Sequence, residues 1–399
     1  MPLSFSESSN NLSSDGSFSS IARSRDIGFS GDKCAAPLDW LMPSHDVIIV
    51  GAAPAGSLAA LVLARAGYRV ALLERATFPR AKVCGNCINP TAWAIWEKLG
   101  LTESYCALPH QELTGFTVHC EGRTIYQYAF RAPQRGPRAI SRDVLDDWLR
   151  REAEAAGAAF FPDTTVTGLD ASQGIVQTSR GEFSGRLIFG ADGRNSLVAR
   201  QSGLMPAPRR CHRVAWQTSI PAPADLDNHA HMHVFEEGYF GYCRYSPTQA
   251  VISMVLDSRR TQDPLLLARR YFPTLPEQSW LRMNPITRAE ARIGSGHVWL
   301  LGDAARVVEP FTGEGISFAL STGLLAAEAA VAGLAGNNLN SALAIYSRTH
   351  RQLYRRRAWV NTLLRWMLVT PRQTVRVLRK MEQLPGIVSF FSQRVHATT

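Results

Sequence analysis

The sequence predicts an α/β protein carrying a second, α+β-type domain, an inserted antiparallel β-sheet, and a set of C-terminal helices. Three observations carry this reading. Residues 46–75 run as strand, glycine turn, helix and strand. Residues 206–285 are rich in proline and strand-like, with helical periodicity only near 265–271. Residues 316–334 form a long apolar helix that leads into a strongly basic tail. At 399 residues the chain exceeds one hydrophobic core, so two joined domains are expected.

The first stretch sets the frame. Residues 46–50, DVIIV, are β-branched and suit a buried strand. Gly51-Ala52-Ala53-Pro54-Ala55-Gly56 turns the chain, an Ala/Leu-rich helix follows to Gly67, and a second buried strand ends at Glu74. This is a β-α-β unit of the Rossmann-like kind. A pyrophosphate needs free backbone N–H groups at a helix N-terminus with no side chain in the way. Gly51 supplies the tight turn and Gly56 close helix–strand packing, while an acid about 20 positions on, here Glu74, accepts ribose hydroxyls. The middle glycine of the fingerprint is replaced by Ala53, which narrows the approach.

The remaining elements follow in order. Residues 1–44 are Ser/Asn/Gly-rich and are expected to be a disordered extension. Their five acids and lack of an apolar core argue against a transit or signal peptide, and a start at Met42 would leave a short conventional leader. A loop after Glu74 leads to a helix ended by Gly100, a hairpin over 112–135, and an amphipathic helix over 141–157 with Ser141 as N-cap. The expected division is a discontinuous cofactor domain (45–115, 138–205 and 290–338), a sheet domain for substrate (116–137 and 206–289) and a basic helical tail (339–399). The helix at 316–334 is long enough to span a membrane, yet its Ser317, Ser321, Thr322, Gly323 and Glu328 favour burial in the cofactor domain.

Charge and cysteine content bound the partners. Residues 340–399 hold eleven basic residues and one acid, Glu382, and so carry the whole net charge of +10. With Trp359, Trp366 and several leucines among the arginines, an anionic membrane surface is the expected partner; solvated arginines on a covering helical pair are the plain alternative. No nucleic-acid fold accompanies the tail, so nucleic acid is not expected. Seven scattered cysteines form no disulfide framework, and a cytoplasmic setting, peripheral to membrane, is expected. Cys84-Gly85-Asn86-Cys87 has redox-pair spacing but sits in a loop, so Cys84 is read as pocket lining. His229, His231 and His233 share a strand face without a telling carboxylate, and no metal is expected. In the aromatic stretch 238–247, alternation places Tyr239, Gly241 and Cys243 on one face and Phe240, Tyr242 and Arg244 on the other.

Three further blocks join the first: ISRDVLDDWL (140–149), FGADGRNSLVAR (189–200) and LLGDAARVVEPFTGEGISFALSTGLLAAEAA (300–330). In this order and spacing the chain resembles the group A flavoprotein monooxygenase superfamily, which includes the geranylgeranyl reductase family and the flavin-dependent halogenases. The loop FPRAKVCGNCINP (78–90) resembles the geranylgeranyl reductases more closely. The Gly-Glu-Ser and WxWxIP signatures of the halogenases are absent. The resemblance implies FAD as cofactor. Gly51, Ala53, Pro54, Ala55 and Gly56 would hold its pyrophosphate, Glu74 and Arg75 the adenosine ribose, Arg142 the phosphates, and Val166 the adenine. Asp192-Gly193 would order the pyrophosphate loop, Gly302-Asp303 would meet the ribityl chain, and Pro310, Gly313, Gly315 and Ile316 would lie along the isoalloxazine. A glycine-rich helix start at the pyrimidine edge would favour the anionic reduced ring.

These readings imply an FAD-dependent oxidoreductase that passes a hydride to a double bond of a hydrophobic polyprenyl or polyketide-like substrate. The alternatives are a monooxygenase hydroxylating an apolar aromatic compound, and a membrane-attached flavin electron carrier without catalysis of its own. NADPH or NADH is the expected electron donor, though no second fingerprint marks its site. No catalytic acid or base is legible, and Lys82, Cys84, Tyr239 and Tyr242 are the pocket candidates.

Overall fold

The computed structural model describes residues 44–369 except 131–134, 207–210 and positions 262, 274, 276, 278, 285 and 287. The expectations for residues 1–43 and 370–399 lie outside the described residues. An eight-stranded sheet holds the cofactor segments. Its main path runs Gly294–Ser295, Val298–Leu300, Gly181–Gly190, His45–Val50, Val70–Leu73, Ala159–Phe161. The four inner pairings are parallel. Such strands are covered on both faces and so read as unbroken apolar runs. Val47, Ile49 and Leu72 face Leu58 and Leu61 of the helix Pro54–Arg65. Ile48, Val50, Ala71 and Leu73 face Val198 and Leu204 on the other side.

Ala159–Phe161, Gly294–Ser295 and Val298–Leu300 return to this sheet after long excursions of the chain, and close approach joins the helices that cover it. The helix Gly315–Ala335 lies on Pro54–Arg65, where a Cβ on Gly323 would stand 2.4 Å from the Ala55 carbonyl oxygen. Among the described residues it is the one helix long and apolar enough to cross a membrane by composition (mean hydropathy 1.6), and 61% of that window is buried within the protein. Its Thr322 hydroxyl accepts the Gly302 N–H at 2.9 Å, which ties it to the strand-end turn. The next helix, Leu339–Val369, is anchored by Tyr346, whose hydroxyl donates to the Leu300 carbonyl at 2.7 Å.

A seven-stranded sheet carries the second layer, in the order Leu281–Met283, Arg213–Pro221, Gln249–Asp257, Gly238–Arg244, His229–Phe235, Gly115–Cys120, Arg123–Ala129. It is antiparallel except where His229–Phe235 runs parallel to Gly115–Cys120. That junction is where the early hairpin, arriving from a separate stretch of chain, adds to strands made much later. One face carries Phe240, Tyr242, Ile252 and Met254 under Leu267 and Ala268 of the helix Pro264–Arg269. The other carries Met232, Val234, Tyr239 and Val255 and meets Val83 and Phe311 of the cofactor segments. A three-stranded ribbon of Cys87–Ile88, Arg138–Ala139 and Gln111–Glu112 completes the fold.

One cap differs from expectation. Ser141 stands at the N-cap of the helix Arg142–Ala155 with extended backbone, but its hydroxyl makes no capping bond. The helix instead carries a buried ion pair in its first turns, between Arg142 and Asp146.

Candidate cofactor and substrate site

A cavity of about 340 Å³ opens where the two sheets meet, within the size of small-molecule sites. Two helix N-termini point into it. The helix Pro54–Arg65 begins at Ala53, with no side-chain cap and no acid in its first turn. The helix Gly315–Ala335 begins after Glu314, again without a side-chain cap or an acid in the first turn. Each presents unsatisfied N–H groups and partial positive charge to the same space. Gly51 makes the turn before the first helix at φ 104 and donates its N–H to the Leu73 carbonyl at 2.7 Å. At Gly56 a Cβ would stand 1.9 Å from the Gly51 carbonyl oxygen, so a side chain there is excluded.

The charged groups form a connected set. Glu74 accepts the Ala52 N–H at 3.1 Å and pairs with Arg80 at 3.3 Å. Arg80 reaches Asp146 at 3.1 Å, and Asp146 holds Arg142 through two bonds of 2.9 and 2.7 Å. Glu74 therefore orders the turn itself, and Arg142 is held rigid beside the cavity it lines. Lys82 also lines the cavity, about 4.0 Å from the position of a Cβ on Gly193. Burial, then the charge of Arg142, lowers its amine to about 8. Asp303 pairs with Arg194 at 2.9 Å; burial pushes its carboxyl up, but that guanidinium prevails and holds it below the usual range. Asp192 turns Oδ2 to the N–H groups of Leu197 and Val198 at 2.7 and 3.2 Å. Its Oδ1 is buried without a partner among the described residues, and burial pushes the group up.

Ala53, Pro54, Ala55, Lys82, Cys84, Arg142, Gly193, Gly302, Asp303, Pro310, Gly313, Gly315 and Ile316 all line the cavity. Gly51, Gly56, Glu74 and Asp192 stand behind this lining and shape it. Arg75 is exposed, and Val166 packs at the edge of the core that contains Val176 and Val198; neither lines the cavity. Tyr239 and Tyr242 both reach the lining from opposite faces of the sheet. The Tyr239 hydroxyl donates to Glu309 at 2.8 Å, and Glu309 is clamped by Arg213 at 2.9 and 2.7 Å. The Tyr242 ring sits with Phe272, 4.8 Å between centroids, on the side away from the cofactor segments. The histidines are used internally: His231 joins Asp227 at 2.7 Å and His119 at 3.0 Å, and His119 stacks on His233.

Four participants escaped sequence reasoning. Asp146 stands four residues after Arg142, a helical spacing that could have exposed it. Arg194 and the Arg213–Glu309 pair leave no local signal, because their partners lie about a hundred residues away in sequence.

The residues present suit FAD. Two uncapped helix starts match its two electron-rich regions, and the glycine turn, where a Cβ on Gly56 would stand 1.9 Å from the Gly51 carbonyl oxygen, leaves room for a diphosphate. An anion site and an apolar chamber on one α/β frame define a flavin-binding oxidoreductase. The comparisons are specific: residues 44–265 match the model of the FAD binding domain family, and the chain belongs to that family. The menaquinone reductase of Mycobacterium tuberculosis is 30% identical over 326 residues, covering 71% of this chain and 76% of that protein. The geranylgeranyl diphosphate reductase of Rhodobacter capsulatus is 30% identical over 315 residues, covering 72% of this chain and 75% of that protein. In fold, the chain is similar to a geranylgeranyl bacteriochlorophyll reductase-like protein of Thermoplasma acidophilum (TM-score 0.72, 19% identity, 85% and 90% of the two chains). It is similar also to a probable FAD-dependent monooxygenase from Pseudomonas aeruginosa (TM-score 0.69, 18% identity, 84% and 99%). The protein is an FAD-dependent oxidoreductase with reductase relatives, and it shares its fold with a probable FAD-dependent monooxygenase.

Proposed function

We propose that this enzyme reduces a carbon–carbon double bond of a hydrophobic substrate of the polyprenyl class. The observation that carries the reading is the apolar chamber beside Gly313, Gly315 and Ile316, walled by Phe116, Met232, Val255, Ile286 and Phe311. Bound FAD supplies two-electron hydride chemistry. The protein's own part is placement and exclusion. The apolar wall gathers an alkene chain and keeps water from the reacting bond. Lys82, Arg142 and the uncapped Pro54–Arg65 helix start hold the diphosphate end of the cofactor. Tyr239, fixed by Glu309, closes the sheet side of the chamber, and burial keeps its phenol neutral. The names of the two 30%-identical relatives, one acting on a polyprenyl quinone and one on a polyprenyl diphosphate, support the same class. NADPH or NADH is the proposed donor. The basic tail would bring the enzyme to anionic membrane, where such a substrate resides, and a cytoplasmic face suits both.

The test is anaerobic turnover of the FAD-loaded protein with NADPH or NADH, using geranylgeranyl diphosphate and a menaquinone in phosphatidylglycerol vesicles. The expected product has gained two hydrogens in its prenyl chain, which in the menaquinone remain after the ring is reoxidised in air, and turnover falls when the lipid is made zwitterionic. A product that forms only in air and carries an oxygen atom from O₂ would replace this reading with hydroxylation.

A further inference from the structure

Three cysteines line the cavity: Cys84, Cys87 and Cys243. Spacing along the chain suggests a Cys84–Cys87 couple, but the fold makes a different one. Asn86, at φ 59, turns the chain between them. Cys84 Sγ then accepts the Asn86 N–H at 3.4 Å. Cys87 Sγ lies 3.8 Å from Cys243 Sγ. Cys87 belongs to the short ribbon and Cys243 to the large sheet, so the two thiols face each other across the seam between the layers. The Cys87 side chain also stands against the open face of Gly313, 3.7 Å from the position of a Cβ there, at the chamber's cofactor end.

The two thiols are unequal. The hydrogen-bond contact with Cys243 holds Cys87 below the usual thiol range, with burial working against it. The same interaction, with burial, pushes Cys243 well up. Cys87 is partly exposed at the cavity wall while Cys243 is 2% exposed, so a peroxide reaches Cys87 first, and Cys87 is the nucleophile and Cys243 the resolving thiol. A disulfide bond of about 2 Å requires the sulfurs to close by roughly another 2 Å, within the reach of side-chain rotation.

We propose that Cys87 and Cys243 form a reversible disulfide when the protein meets a peroxide, a modification site that clasps the cofactor-side loop to the substrate sheet. The Cys87 thiolate attacks one oxygen of hydrogen peroxide, the O–O bond breaks, and the leaving hydroxide takes up a proton as water. Cys243 sulfur then attacks the resulting sulfenic sulfur; the S–O bond breaks, and a second water leaves with the Cys243 proton. Two thiols and one peroxide give one disulfide and two waters, with two electrons passed from sulfur to oxygen. A small thiol reductant reverses the bond by exchange. The clasp stitches residues 84–90 to the strand Gly238–Arg244 and holds the chamber at its present width.

The test uses the full-length protein, treated with one equivalent of hydrogen peroxide and then alkylated and mapped by peptide mass without reduction. A cross-linked peptide containing Cys87 and Cys243 is expected, two hydrogens lighter than its halves and abolished by dithiothreitol. Cys84→Ser should leave it unchanged. Cys243→Ser, which keeps a hydroxyl donor beside Cys87 but cannot form the disulfide, should leave Cys87 as a sulfenic acid that dimedone labels at least tenfold more than in the unaltered protein. The cross-link in the unaltered protein needs no variant, an unchanged thermal midpoint shows that a variant is folded, and none of the readouts depends on the substrate proposed above. A Cys84–Cys87 link, or over-oxidation of Cys87 in the unaltered protein without any cross-link, would overturn the proposal.

Discussion

Lys82 stands among the cofactor-side groups with its amine lowered to about 8, first by burial and next by Arg142. In the protein without cofactor the unfolded chain therefore holds more protons than the folded one from pH 8 up to the ordinary lysine range, and stability rises with pH across that window. An anion beside the amine acts the other way, raising its pKa, so FAD binding takes up a proton above pH 8. Affinity for FAD should be flat below pH 8 and weaken above it, by at most about tenfold per pH unit. Titrating apoprotein with FAD by flavin fluorescence between pH 7 and 9.5 measures this slope. Lys82→Met should bind more weakly and lose the slope; a slope that survives the substitution would assign the proton elsewhere. Lys82, Arg142 and Asp303 were legible because each sits inside a short ordered block. Arg194 was not, since its role rests on a 2.9 Å bond to Asp303 that only folding creates. Arg75 and Val166 show the reverse: adjacency to a motif placed them near the cofactor, while the structure leaves them off the cavity lining.

The pair of helices Pro54–Arg65 and Gly315–Ala335 shows how an element can be readable while its partner is not. Both helices are evident in the sequence as Ala/Leu/Gly-rich runs. Their contact depends on Gly323, where a methyl would press against the Ala55 carbonyl oxygen at 2.4 Å. Backbone cannot yield there as a long side chain could. Gly323→Ala should cost about 1–3 kcal/mol of stability, as overpacked sites do. The two helix starts would also separate, so bound FAD should weaken along with the thermal midpoint. Thermal unfolding with and without FAD reads both effects. An unchanged midpoint would mean that the helices do not meet so closely in solution. Ser141 shows the same limit: the sequence marks it as an N-cap and its backbone is extended there, but its hydroxyl makes no capping bond.

At the scale of the whole molecule, a buried charged contact joins the cofactor segments to the large sheet. Glu309, with a fully buried side chain, comes from the stretch that leads into Gly315–Ala335; Arg213 and Tyr239 come from the sheet. Removing one member of such a pair leaves the other charge buried without its counterion, which costs about 3–5 kcal/mol. Glu309→Ala should therefore destabilise the protein by that order, whereas Tyr239→Phe, which removes one hydrogen bond, should cost about 1 kcal/mol. Chemical denaturation of the two variants compares them directly. Equal losses would mean that the ion pair contributes no more than the phenol does.

Sequence alone determined the β-α-β unit, the strand-rich insertion and the family resemblance, because each is written in local periodicity or in a glycine that backbone geometry demands. FAD as the cofactor came with the resemblance carried by four ordered blocks, since a diphosphate site at one helix start is common to dinucleotides in general. Only the tertiary structure decided which side chains face one another across the seam: Arg194 with Asp303, Arg213 with Glu309, and Cys87 with Cys243 in place of its sequence neighbour Cys84. These partners are set by how two sheets pack, and the packing is fixed by surfaces drawn from segments far apart in the chain, for which no local pattern exists.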